Sequence, residues 1–123
     1  MDLNLITDPE LAPRPRDQIQ ITGLTVTPYP DGRRLKVEIV LTPFAPADRP
    51  NLEIVAGQVG GPPLVSVSVI ESMHRTISLT MHLRGDADAG DYMVQANLYY
   101  DPQQIQHTLT AVTQLPSTAP LEG

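Results

Sequence analysis

Asp88-Ala89-Gly90-Asp91-Tyr92-Met93-Val94 has the spacing Asp-x-Gly-x-Tyr-x-Val, and it opens a run that alternates as far as Tyr100. A glycine inside an acidic stretch permits a sharp change of chain direction. Beyond it, Tyr92, Val94, Ala96, Leu98 and Tyr100 fall on one parity, the two-residue period of a strand buried on one face. The segment reads as a loop that turns the chain into a half-buried strand, with Tyr92 at the corner.

The same period recurs outward in both directions, about seven times in all. Ile19 and Ile21 alternate, and so do Leu24 and Val26, with the phase slipping at Gly23. A glycine at a phase slip marks a bulge or a strand that changes sheet. Leu35, Val37, Ile39 and Leu41 make a second run, and Leu52, Ile54 and Ala56 a shorter third. Val65, Val67 and Val69 follow the Gly60-Gly61-Pro62-Pro63 turn. Ile77, Leu79, Met81 and Leu83 precede the opening stretch. Ile105, His107, Leu109 and Ala111 continue beyond it toward Leu115. Helical periodicity is missing, because Asp8-Pro9-Glu10-Leu11 meets Pro13 before two turns are complete. Regularly spaced strands with turn residues between them predict an all-β antiparallel sandwich or barrel. Inward positions include Ile21, Val37, Ile39, Ile54, Val67, Leu79, Met81, Tyr92, Val94, Ala96 and Leu109.

Leu79-x-Met81 followed by Asp88-x-Gly90-x-Tyr92-x-Val94 resembles the E-strand, loop and F-strand signature of immunoglobulin-like domains. The resemblance spans about 25 residues and fits the broad set of cysteine-free bacterial immunoglobulin-like and fibronectin-III-like modules without singling out one family. It implies that the Tyr92 hydroxyl bonds back to loop backbone and pins a corner built from Asp88, Gly90 and Tyr92. It also places Val94 where antibody domains carry a disulfide cysteine, with Val37 or Ile39 in the partner position. The chain has no Trp to pack there, which excludes the antibody type. The expected fold is a seven-stranded antiparallel immunoglobulin-like β-sandwich over residues 18–115. A proline-rich extended arm precedes it over 1–17, and a tail follows over 116–123. Modules of this kind are mostly spacers, adhesion units or interaction domains, so the resemblance implies a non-catalytic role.

Composition removes whole classes of chemistry. At 123 residues the chain is one domain's worth of sequence, able to bury a core without staples. Its net charge of -6 opposes nucleic acid as a partner, since phosphate binding needs clustered Lys and Arg. Arg33-Arg34-Lys36 is the nearest thing to a basic cluster, and a solvated strand end accounts for it. Anionic membrane attachment is disfavoured for the same reason, and no window approaches the length of a spanning helix. There is no cysteine, which excludes disulfides, zinc thiolates and a cysteine nucleophile. That absence, with an N-terminus lacking a basic and apolar leader, points to the cytoplasm.

The remaining candidates for chemistry are thin. The acidic loop Asp86-Ala87-Asp88-Ala89-Gly90-Asp91 suggests calcium, with Asp86 and Asp88 in the right alternation, but Gly90 stands where a third Asp or Asn belongs and no bidentate Glu follows. Arg84-Gly85-Asp86 is an Arg-Gly-Asp triplet whose glycine the turn already explains. His74, His82 and His107 fall in a turn, on an outward parity and on an inward parity, which does not predict a metal site. No Gly-x-Ser-x-Gly elbow is present, and Ser66 and Ser68 alternate with valines. Glu38, Glu53 and Glu71 sit on separate strands or strand ends, with nothing marking a cleft between two carboxylates. The expectation is no enzyme, no cofactor and no metal. The alternative reading is a small-ligand module binding calcium or carbohydrate at the loop ends of the sandwich.

Two places suit a protein partner or self-association. Tyr99 shares an outward parity with Met93, Gln95 and Asn97, which is either a solvated face or a modest contact patch. Leu3-Asn4-Leu5-Ile6 could add as a strand to a neighbour's sheet edge, or else form a flexible tail or a strand folding back on its own domain. Leu3, Leu5, Ile6, Met93 and Tyr99 are thus the candidate contact residues.

Overall fold

Short runs of period two cannot bury both faces, so they pair edge to edge and stack. A computed structural model of the chain describes residues 12–83 and 90–115. Within these, seven strands form: Ile21–Pro28 (β1), Arg34–Leu41 (β2), Asn51–Gln58 (β3), Pro63–Val69 (β4), Thr76–His82 (β5), Gly90–Asp101 (β6) and Gln104–Leu115 (β7). They make two antiparallel sheets packed as a sandwich. One has the order β1-β2-β5 and the other β4-β3-β6-β7. Two short 3-10 turns, Arg16–Gln18 and Pro46–Asp48, are the helical elements among the described residues.

The core lies between the sheets and follows the alternation. Leu35, Val37, Ile39 and Leu41 of β2 are fully buried, as are Leu52, Ile54 and Ala56 of β3 and Tyr92, Val94, Ala96 and Leu98 of β6. These are the strands with neighbours on both sides. Val67, Leu79 and Leu109, on the edge strands β4, β5 and β7, pack against the core while staying partly exposed. Each fully buried aliphatic side chain contributes about 1.5–3 kcal/mol.

Turn chemistry joins the strands. Between β3 and β4, Gly61 N donates to Gln58 O at 2.9 Å, and Gly60 takes φ +80 at the third position of the turn. A β-turn that needs positive φ there selects glycine. Gly57, just before it, is fixed by space rather than torsion. A β-carbon at Gly57 would come within 2.6 Å of Pro62 O. Between β6 and β7, Asp101 Oδ1 accepts from Gln103 N at 3.0 Å, an Asx turn that tightens the hairpin.

The phase slip at Gly23 is a register shift of β1 against β2 between Ile21 and Gly23. Two other irregularities change which residues face the core. Leu98 pairs with His107 but Tyr99 pairs with Ile105, so β7 carries one extra residue at Gln106. That bulge turns Ile105 outward, 53% exposed, although its parity with His107 and Leu109 predicts an inward position. Asn97 departs in the opposite sense. Its outward parity predicts solvent, yet it is 3% exposed. Its Oδ1 accepts from Thr108 Oγ1 at 2.8 Å and from Gln95 Nε2 at 3.1 Å, so cross-strand hydrogen bonds cover it.

Candidate interaction surface

The sandwich has two outer faces, and alternation assigns their residues. On the three-stranded sheet, Arg34, Lys36, Glu38 and Val40 of β2 stand beside His82, Thr80, Ser78 and Thr76 of β5. Both charge signs are present there, as on an ordinary solvated face. Arg34 is held in place: its Cζ lies 4.2 Å from the Tyr29 ring centroid and its Nε donates to Asp31 Oδ2 at 2.7 Å. Tyr29 Oη in turn lies 3.3 Å from Thr80 Oγ1.

The four-stranded sheet is different. Its register sets Asn51, Glu53, Val55 and Gly57 of β3 beside Tyr99, Asn97, Gln95 and Met93 of β6. The next strand, β7, contributes Thr108, Thr110 and Val112 to the same face. On the other side, β4 contributes Ser66 and Ser68. Glu53 alone carries a charge among these positions. Val112 is 63% exposed and Ile105, turned out by its bulge, joins the same side. Met93 lies directly opposite Val112 on the neighbouring strand. Glu53, Val55, Gly57, Met93, Gln95 and Asn97 line a shallow groove of about 400 Å³ across the middle of the face.

The contact residues expected from sequence divide accordingly. Met93 and Tyr99 fall on this face, both partly buried by their neighbours. Leu3, Leu5 and Ile6 lie outside the described residues. Val112 and Ile105 were not legible as contact residues. Val112 occupies an outward position in a run whose apolar parity is Leu109 and Ala111, and a β-branched residue on the solvent parity is the signal that points to it. Ile105 required the bulge to be known.

The corner is seen from one side. Gly90 opens β6 with φ +145, a region that L side chains rarely adopt. Tyr92 has no exposed surface and is the largest side chain so buried. Among the described residues no buried side-chain nitrogen or oxygen lacks a partner. Asp88, Asp86 and the Arg84-Gly85-Asp86 triplet lie outside the described residues.

The chain leading into β1 is docked rather than free over its described part. Arg14 N donates to Pro43 O at 2.9 Å. Arg16 lies over the Tyr100 ring, 4.7 Å from its centroid, and reaches Asp48 Oδ1 at 3.2 Å. Tyr100 Oη donates to Asp48 O at 2.8 Å, and burial holds its phenol above the ordinary value of 10.0. The Tyr29 and Tyr100 faces are therefore already stacked by arginines. The histidines are spread out: His82 and His74 are exposed, while His107 Nδ1 accepts from Ile21 N at 3.1 Å. That bond places the imidazole proton on Nε2. Among the described residues no three His, Asp or Glu converge in a way that could hold a metal ion.

No protein-family model matches the chain, and no curated protein matches it. Among solved structures the chain is similar to part of a beta-glucuronidase from Bifidobacterium dentium, determined in complex with coumarin-3-O-glucuronide. The TM-score is 0.62 at 11% identity over 79% of this chain. The matching part is 18% of the enzyme's own chain. At that identity the likeness is one of fold, a β-sandwich domain.

Proposed function

We propose that this chain is a non-catalytic protein-interaction module of immunoglobulin-like, fibronectin-III-like topology, working through the outer face of its four-stranded sheet. The observation that carries the reading is the contrast between the two outer faces. One presents Arg34, Lys36 and Glu38 to solvent; the other presents Val55, Met93, Tyr99, Ile105 and Val112, with Glu53 as the one charge beside them and Asp91 at the far end of β6. Protein contact surfaces are depleted of charge at their centre and enriched in Tyr and Met. The strand order supports the topological part, since β1-β2-β5 against β4-β3-β6-β7 matches an A-B-E sheet facing a C′-C-F-G sheet.

The test compares face variants in a pull-down from the native cell. Val112→Lys with Tyr99→Ser places a charge and removes an aromatic at partly or fully solvated positions, so the fold is retained. The expected outcome is loss of the proteins retained by the unmodified chain, while Lys36→Ser on the opposite face leaves them bound. Equal retention by both variants would remove the assigned face from the function.

A further inference from the structure

Among the described residues β4 ends the four-stranded sheet, with β3 on one side and no strand on the other. Its seam with β5 across the sandwich is also open, with little contact between the two strands. Sheet edges of this kind are ordinarily blunted by lysine, inward charges or bulges. β4 carries no lysine and no inward charge; its one irregularity is an extra residue at Leu64 against β3, next to Pro63 at its first position, and Val65-Ser66-Val67-Ser68-Val69 beyond it pairs regularly. The exposed large apolar side chains also gather here. Leu64 at 42% and Ile70 at 63% stand at its two ends, and Val59 and Met73 flank it.

We propose that the β4 edge pairs with the β4 edge of a second copy of this chain, antiparallel about a two-fold axis through Ser66. The register follows from the residues. With Ser66 opposite its own counterpart, Val65 meets Val67 of the other copy on the inner side. On the outer side Ser68 stands opposite Leu64, the bulge residue of β4, which lies diagonal to Ile70 and within reach of a long side chain. Each copy's two exposed end residues thereby cover the other's. A one-residue slip would set inward valines beside outward serines and lose both contacts. Charge does not oppose this pairing of two chains of net charge -6, because Leu64 to Ile70 carries no ionised group.

The strand end is built to hold this position. Glu71 has φ +49, an uncommon conformation for a residue with a side chain. Its N–H donates to Asn51 Oδ1 at 2.8 Å and Ser72 N to Pro50 O at 2.9 Å. The turn therefore leaves β4 abruptly and fixes Ile70 at the edge. The resulting dimer joins two four-stranded sheets into one of eight strands and makes their outer faces continuous. It deepens the interaction reading by naming a partner, but it is tested at the edge and not on the face.

The chain has no cysteine, so Ser66→Cys supplies a single thiol that the proposed axis sets beside its twin. Mild oxidation should link Ser66→Cys chains into dimers far faster than Thr110→Cys chains, whose thiol sits on β7 at the opposite edge of the sheet. In sedimentation equilibrium the unmodified chain should dimerise with a dissociation constant of about 10–100 μM, as befits a small interface. Ser66→Lys opposes two charges on the axis and should weaken the dimer about five-fold or more. Thr110→Lys should leave it unchanged. A monomer mass throughout, as expected if residues 1–11 or another protein occupy the edge, overturns the proposal. So does a dimer that ignores Ser66→Lys, or one broken by Thr110→Lys instead.

Discussion

The hydroxyl of Tyr92 is a single polar atom on the largest side chain with no exposed surface. A buried phenol that lost its partner would cost more than the ring's packing gains at that atom, so the hydroxyl has to be satisfied. Tyr92→Phe keeps the ring, keeps the strand parity and deletes only that atom. The variant is expected to lose about 1 kcal/mol or somewhat more in urea unfolding. A change within error would mean that Tyr92 acts by volume alone and that the corner is held by the glycine. Gly90 was legible as a turning point because an acidic loop with one glycine has few other uses for it. Gly57 was not legible at all. Its constraint is the carbonyl of Pro62, which a sequence does not place.

At the scale of elements, alternation read all seven strands correctly, because each has one face against the core and one against water. Gly23 even disclosed the bulge in β1, since the apolar phase visibly slips there. The bulge at Gln106 left no such trace. Ile105 keeps the phase of His107 and Leu109, and only the pairing with β6 shows it turned outward. The β1–β2 hairpin makes a prediction of its own. Asp31 accepts from Arg33 N at 2.9 Å and from Arg34 Nε at 2.7 Å. The Arg33 backbone bond, with help from the Arg34 side chain and against some desolvation, holds its carboxyl below the ordinary 3.8. A carboxyl whose pKa is depressed on folding stabilises the fold above its unfolded value, and that contribution is lost as pH falls through the folded value. Asp31→Asn should therefore melt slightly below the unmodified chain at pH 7, and the two melting curves should converge once the pH has fallen below the folded value of Asp31. A gap that persists in acid would assign the difference to the turn's shape and not to its charge.

Across the whole molecule, the two seams of the sandwich are unlike. On the β4–β5 side the sheets stand open among the described residues, and valines on the inward parity of β4 remain partly exposed there. On the β1–β7 side the seam is laced. His107 Nδ1 accepts from Ile21 N at the bulge of β1, and Gln106 Nε2 donates to Arg16 O at 3.0 Å and to Ile19 O at 2.8 Å. Both side chains come from the irregular start of β7, so that bulge aims polar groups across the gap while it turns Ile105 onto the face. An inward His flanked by apolar residues suggested packing from sequence. Its actual work is to satisfy a backbone donor that the bulge in β1 leaves without a ladder partner. Gln106→Ala with His107→Ala should then cost about 1–2 kcal/mol in denaturant unfolding, less than a fully buried network because Gln106 is exposed. Amide exchange should quicken first at Ile19 and Ile21, while β3 and β6 keep their protection. If β4 pairs with its counterpart, the oligomeric state of this double variant stays that of the unmodified chain, because the laced seam and the open edge lie on opposite sides of the sandwich. Exchange that quickens uniformly through both sheets would mean that the seam is no separate unit, and that closing one side of the sandwich also sets the stability of the other.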